Sequence, residues 1–149
     1  MNRILVPLDG SDNSFRALDL AVLIANKFNS KIEILHVINT IPLNLVHSEY
    51  DIALTPDMYI QYVKAMKEKG NGILEKAYKH AKNMGANLEI TTKLVEGKPA
   101  DMIIQESEKM NIDHIILGSR GVGKIQELLL GSVSRAVVHR SKVPVTIVK

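Results

Sequence analysis

The chain has 149 residues, of which 46% are hydrophobic and 23% are charged, and it contains neither cysteine nor tryptophan. That length predicts one domain over residues 1–149 with an ordinary hydrophobic core. The lack of cysteine excludes disulfides, zinc–thiolate sites, iron–sulfur clusters and thiol nucleophiles. The net charge of +3 comes from lysine and arginine scattered among acids, and only 4% of residues are aromatic, so nucleic-acid binding is not expected.

The first residues, MNRILVPLDGSD, do not have the pattern of a signal peptide. No apolar stretch approaches the length of about 18 residues that a membrane-spanning helix needs. We therefore expect a cytoplasmic protein that does not interact with membranes.

Apolar runs of strand length alternate with helical patterns along the chain. Strands are predicted over residues 3–8, 31–38, 87–95, 112–117 and 143–148. Helices are predicted over residues 11–29, 56–83, 99–110 and 132–140, with Ser11 and Asp12 as cap candidates of the first and Thr55 as the cap of the second. This strict alternation, with nearly continuous apolar strands, predicts an α/β fold: a doubly wound parallel sheet with helices on both faces.

Three of these segments carry further signals. The third predicted strand is the most polar, which is typical of a sheet edge, and Pro144 in the fifth fits an edge strand or a strand start. The second helix contains Gly70 and Gly72, each of which costs about 1 kcal/mol relative to alanine. Its apolar stripe continues in phase through Gly70, which predicts one long helix rather than two. The connection from Asn39 to Thr55 is long, as is typical of a lid, a partner surface or a mobile stretch.

The most informative segment is GSRGVGKIQELLLGSVS, which runs from the end of the fourth strand into the last helix. Glycines allow a backbone to approach a phosphate closely, and a helix N-terminus favours anions. Ser132 and Ser134 add hydroxyl groups, and Arg120 and Lys124 add positive charge. Each feature also has a structural interpretation, because the glycines could serve turns, Ser132 could be an N-cap and the two basic side chains could be solvated.

Standard motifs do not account for this segment. A Walker A loop would require a hydroxyl residue where Ile125 stands, and a dinucleotide-binding loop that began at Gly121 would require glycine where Gln126 stands. The chain has no G-x-S-x-G elbow and no H-E-x-x-H motif. His36 and His114 fall in predicted strands and are interpreted as packed, hydrogen-bonded residues.

The pattern that remains is G-x2-G-x9-G-[ST], formed by Gly118, Gly121, Gly131 and Ser132. Together with VPLDGS, DHIILGSRG, LLGSVSRAV and VPVTIV, it makes the whole chain resemble the ATP-binding branch of the universal stress protein family. The resemblance implies the adenine nucleotide alpha hydrolase-like fold with strand order 3-2-1-4-5. In such a sheet the ligand crevice lies where the order reverses, between the first and fourth strands.

The resemblance also implies a set of ligand-binding residues in that crevice. Asp9 would lie near the adenine end, and backbone groups of Val37 would contact the adenine edge. The full set comprises Pro7, Leu8, Asp9, Val37, Leu117, Gly118, Ser119, Arg120, Gly121, Gly131, Ser132, Val133 and Ser134. For Asp9 the alternative is that its side chain only caps the first helix.

The predicted function is therefore a switch or regulator in the stress response that binds ATP, or ADP or AMP, with Mg or Mn held mainly by the phosphates. No catalytic residue is assigned, and little or slow hydrolysis is expected. An alternative is a dimeric scaffold with a vestigial site, paired through the strand from Val143 to Val148. The family dimerises in a similar way, and the connection from Asn39 to Thr55 is a candidate surface for a protein partner. A third hypothesis, a phosphate-transferring enzyme, requires turnover that Asp9→Asn abolishes.

Overall fold

The computed structural model describes residues 2–39, 55–119 and 130–149. Within them the strands are β1 (Arg3–Pro7), β2 (Lys31–Ile38), β3 (Ile90–Glu96), β4 (His114–Gly118) and β5 (Val145–Val148). The helices are α1 (Asp12–Phe28), α2 (Pro56–Met84), α3 (Pro99–Lys109) and α4 (Ser132–Arg140). All strands are parallel, in the order β3-β2-β1-β4-β5. The predicted fold, strand order and edge strands are confirmed.

Alternation along the strands divides the apolar side chains between two faces of the sheet. On β1, Ile4 and Val6 join the core cluster under α1 and α2, whereas Leu5 joins the cluster under α3 and α4. All three side chains have no exposed surface. A strand covered on both faces needs apolar residues at successive positions, which explains the continuous apolar runs in the sequence.

Two helices begin with the capping groups that their sequences predict. Ser11 is the N-cap of α1, and its side chain accepts a hydrogen bond from the Ser14 amide. Thr55 caps α2 in the same way, with Pro56 in the first turn. α2 continues without a break through Gly70 and Gly72, so the prediction of one long helix is confirmed. Over the described residues, no helix has the length and apolar character to cross a membrane.

Two strands begin later than predicted, at places where backbone amides hydrogen-bond to a side chain or close a turn. β4 begins at His114 rather than at residue 112, because the Asp113 carboxylate accepts hydrogen bonds from the Asn2 and Arg3 amides. These donors lower the pKa of Asp113 below its ordinary value. β3 begins at Ile90 rather than at residue 87, because the Leu88 amide closes a turn onto Gly85.

The last strand is also shorter than predicted, since β5 begins at Val145 rather than at residue 143. The Pro144 carbonyl still accepts a hydrogen bond from the Ile115 amide. Proline has no N–H to donate, so it stands at the start of the strand rather than inside it.

Candidate functional site

The sheet order reverses at β1, whose neighbours are β2 on one side and β4 on the other. The carboxyl ends of β1 and β4 therefore form the edge where parallel α/β sheets bind ligands. Three segments described by the structure meet there: the turn after β1, the end of β4 and the N-terminus of α4.

The turn after β1 is built around Asp9. One oxygen of its half-buried carboxylate accepts hydrogen bonds from the Ser11 amide (3.0 Å) and the Ser11 hydroxyl (2.6 Å). Gly10 between them has φ +89°, a conformation that side-chain-bearing residues rarely adopt. Ser11, not Asp9, caps α1, so the alternative role considered for Asp9 is taken by its neighbour. Asp9 instead holds the capping serine in place.

The end of β2 exposes a backbone edge beside that turn. The Lys31 amide and the Leu35 carbonyl hydrogen-bond to β1 and its extension, whereas the Ile32 amide and the Ile38 carbonyl bond on the β3 side. Because backbone groups alternate between sides along a strand, the N–H and C=O of Val37 face the β1 side. β1 ends at Pro7, which pairs with Leu35, so these groups lie beyond its last residue.

Ser119 joins the end of β4 to three other elements. Its amide donates to the Val148 carbonyl of β5 (2.6 Å), and its carbonyl accepts from the Gly131 amide (2.8 Å). The Ser134 hydroxyl lies 2.9 Å from the same carbonyl, and the Asn13 side-chain amide of α1 donates to the Ser119 hydroxyl (3.3 Å). The buried Ser119 therefore brings the starts of α1 and α4 to the end of β4.

Gly118 is needed here for space. A Cβ atom at this position would lie 2.8 Å from the backbone carbonyl carbon of Asn13, closer than real Cβ contacts come. Glycine thus allows β4 to end directly against the first turn of α1.

The N-terminus of α4 has no cap from its own side chains. Gly131 is the N-cap, and the first helical hydrogen bond runs from Arg135 to Gly131 (3.0 Å). The amides of Ser132, Val133 and Ser134 therefore have no acceptor within the helix, and its first turn has no acidic residue. Such a start attracts anions.

Ser132 and Ser134 differ from the roles predicted for them. Ser132 is the first helical residue and is exposed, so it is not the N-cap that the alternative interpretation made it. The buried Ser134 hydroxyl hydrogen-bonds to the Ser119 and Gly131 carbonyls, so it stabilises the fold. Only the Ser134 amide is left at the helix start. Val133 packs half-buried on the core under α4.

The other predicted residues fall into two groups. The side chains of Leu8 and Leu117 are buried in the core, so only their backbones border the crevice, and Pro7 is half-buried at the end of β1. Arg120, Gly121 and Lys124 lie outside the described residues. In the described segments no group of three or more histidine, aspartate or glutamate side chains is placed to hold a metal ion.

Two side chains at the crevice were not predicted as part of the site. Asn13 bonds Ser119, and its spacing from Asp9 gives no signal in the sequence. The His36 Nδ1 atom lies 2.6 Å from the Leu8 carbonyl oxygen. This contact agrees with the interpretation of His36 as a packed, hydrogen-bonded residue, and its link to Gly70 opposite the ring gives no local signal in the sequence.

Comparisons with known proteins give one consistent result. A family model described as the universal stress protein family matches residues 1–149. The universal stress protein YxiE of Bacillus subtilis is 36% identical over 149 residues, 99% of either chain. The solved structure of hypothetical protein MJ0577 has a TM-score of 0.82 at 26% identity and covers 99% of this chain and 95% of that one. A universal stress protein in complex with cAMP has a TM-score of 0.67 at 31% identity, with the same coverage. The chain therefore belongs to the universal stress protein family.

Proposed function

We propose that this protein binds an adenine nucleotide, ATP or alternatively ADP or AMP, in the crevice between β1 and β4. The observation that carries the proposal is the N-terminus of α4, which has no side-chain cap among the described residues and which Ser119 fixes beside the crevice. Binding serves as a switch in a cytoplasmic stress response, because a ligand that favours one conformation or one assembly shifts its population.

The adenine end is supported by the backbone edge of Val37. Adenine presents an acceptor nitrogen next to an amino donor, and the N–H and C=O of one strand residue complement that pair. Asp9, which follows β1 on the neighbouring strand, would lie near the same end of the ligand. The related structure solved with cAMP, at 31% identity, supports an adenine nucleotide as the ligand class.

The phosphate end is supported by the first turn of α4. Three amides without helical acceptors and the positive end of the helix dipole suit a polyphosphate. The donor set of the described residues does not build a cage for a divalent ion. Mg or Mn would therefore take most of its ligands from phosphate oxygens and water, as Mg commonly does.

Slow hydrolysis is part of the proposal. The carboxylate assigned to the crevice is Asp9, and it is assigned to the adenine end rather than to a terminal phosphate. A phosphoryl-transfer reaction needs a group that positions the attacking water at that phosphate. We therefore expect binding without efficient turnover, and Asp9→Asn should alter affinity rather than a turnover rate.

A second function, a dimeric scaffold, is favoured by β5. This strand lies at the sheet edge and all four of its residues are only partly buried. An open apolar edge suits antiparallel pairing with a second copy. The connection from Asn39 to Thr55, proposed to recruit a protein partner, lies outside the described residues apart from its two ends.

Thermal melts with and without ATP and MgCl2 test nucleotide binding. Ligand at about 100 times its Kd should stabilise the protein by about 2.7 kcal/mol, with smaller shifts for weaker nucleotides. Mass spectrometry of the purified protein should show bound adenine nucleotide. If ATP, ADP and AMP all leave the melt unchanged and no nucleotide copurifies, the proposal is wrong.

Paired variants separate the two functions. Ser132→Asp should weaken nucleotide binding by repelling the phosphates but leave the dimer, whereas Ile147→Lys should do the reverse. A protein that remains functional without nucleotide binding but fails without the dimer would favour the scaffold.

A further inference from the structure

We propose that His36 is a positioning residue for the nucleotide site, and that α2 holds its ring in place through a notch at Gly70. This inference rests on the proposed function. Its starting point is the 2.6 Å contact between His36 Nδ1 and the Leu8 carbonyl oxygen. A carbonyl can only accept a hydrogen bond, so Nδ1 carries the proton and donates.

The contact fixes the peptide group that carries Asp9. The Leu8 amide already donates to the Leu35 carbonyl (2.8 Å), and His36 fixes the carbonyl of the same residue. Both backbone groups of Leu8 are therefore held by β2, one by its backbone and one by a side chain. The next residue is Asp9, so the His36 hydrogen bond orients the peptide group that leads into Asp9 and its contacts with Ser11.

One turn of α2 supports this arrangement from behind. A Cβ on Gly70 would lie 2.8 Å from His36 Cδ2 and 2.7 Å from Leu94 Cδ1, so the bare glycine makes room for the ring. One turn further on, Ile73 lies close to Gly10, the residue after Asp9. A Cβ atom added to Gly10 would lie 3.2 Å from the Ile73 Cδ1 atom. The same stretch of α2 thus lies beside both His36 and Gly10, the residues that flank Asp9 in space.

Gly72 provides an internal control. It lies two residues from Gly70 in the same helix, but a Cβ there would meet nothing within 4 Å. Gly70 is buried and Gly72 is exposed. If the two glycines only made the helix flexible, Gly70→Ala and Gly72→Ala would have the same effect on nucleotide affinity.

The main experiment compares His36→Leu, His36→Asn, Gly70→Ala and Gly72→Ala. Asparagine can place an N–H donor where Nδ1 stands, whereas leucine fills the space without donating. Affinity for ATP is measured by calorimetry and for adenosine by amide chemical shifts, at a temperature where all variants are folded. His36→Leu should weaken both ligands by the same factor, roughly 3- to 10-fold, as expected for one hydrogen bond. A fault at the phosphate end would weaken ATP alone.

The controls define the result further. His36→Asn should bind nearly like the wild type, Gly70→Ala should resemble His36→Leu because its methyl group displaces the ring, and Gly72→Ala should bind normally. Equal affinities for His36→Leu and the wild type would overturn the proposal. Equal losses for leucine and asparagine would also overturn it, since the hydrogen bond would then not be the cause.

A measurement without ligand keeps this inference separate from the nucleotide proposal. In the free protein, amide hydrogen exchange at Asp9 and Gly10 should be faster in His36→Leu than in the wild type, and His36→Asn should restore it. Ring nitrogen shifts of the wild type should show Nδ1 protonated. If the wild type binds neither ATP nor adenosine, the proposed function fails on its own. Unchanged exchange in His36→Leu, in contrast, overturns the positioning role whether or not nucleotide binds.

Discussion

Two helices begin at the same crevice, and their first turns are satisfied in opposite ways. α1 is capped by the Ser11 side chain, which accepts a hydrogen bond from a free amide, and the negative charge of Asp12 in its first turn offsets the helix dipole. α4 has glycine as N-cap and no acid in its first turn. The difference shows that the first turn of α1 is neutralised by its own sequence, whereas the first turn of α4 keeps its positive potential.

The largest effect is expected where the first turn of α1 meets β4. Gly118→Val should destabilise the protein by about 1–3 kcal/mol, because the new side chain meets the Asn13 backbone, which cannot rotate away. Urea unfolding measures the loss. Gly72→Val is the matched control, since that position is open and valine is a better helix former than glycine. Equal stability of Gly118→Val and the wild type would contradict the close approach described above.

The next effect sharpens the contrast between the two helix starts directly. Ser132→Asp gives α4 the acidic first turn that α1 has, and should stabilise the free protein by about 0.3–1 kcal/mol. The same charge should weaken ATP binding roughly tenfold or more by repelling the phosphates. Calorimetry and urea unfolding would show opposite signs for the two quantities. Asp12→Asn, the control on α1, should lower stability by a similar amount and leave ATP affinity unchanged.

A smaller effect on stability is expected when the side-chain cap of α1 is removed. Ser11→Ala removes the cap of α1 and one donor to Asp9, and should cost about 1 kcal/mol of unfolding free energy. Ser11→Thr keeps a hydroxyl and should retain most of the stability. Equal stabilities of the alanine and threonine variants in urea would mean that the hydroxyl contributes nothing.

The smallest effect concerns the link between the two regions. Asn13→Ala removes the hydrogen bond to Ser119 and a contact with Arg16, for an expected loss of about 0.5–1 kcal/mol. A double-mutant cycle with Ser119→Ala isolates the side-chain pair, and its coupling energy should be about 0.5 kcal/mol. Strict additivity would show that the two helix starts are held independently.

The sequence predicted the features that depend on local patterns. The five strands, the four helices, the single long α2 and the cap at Ser11 follow from periodicity and from residue types that favour helix starts. Strand ends were less predictable, because just before β4 the Asp113 carboxylate accepts hydrogen bonds from two amides more than a hundred residues earlier in the chain.

The candidate site was predictable in its outline but not in its connections. The glycine pattern identified Gly118 and Gly131, yet nothing local indicates that Ser134 turns its hydroxyl inward to Ser119. The role of Gly70 was also not predictable. Glycine destabilises the middle of a helix, and the reason for it at this position is the His36 ring, which belongs to a strand distant in sequence. Such contacts join segments that are distant in sequence, so local patterns cannot reveal them.

The hydrogen bond between Asn13 and Ser119 joins residues 106 positions apart. Contacts of such long sequence separation form late, because the loop they close must first be ordered. We therefore expect the crevice to form late in the folding reaction. A ligand that binds there should leave the refolding rate almost unchanged and instead slow the escape from the native state, so that its effect appears in the lifetime of the folded protein.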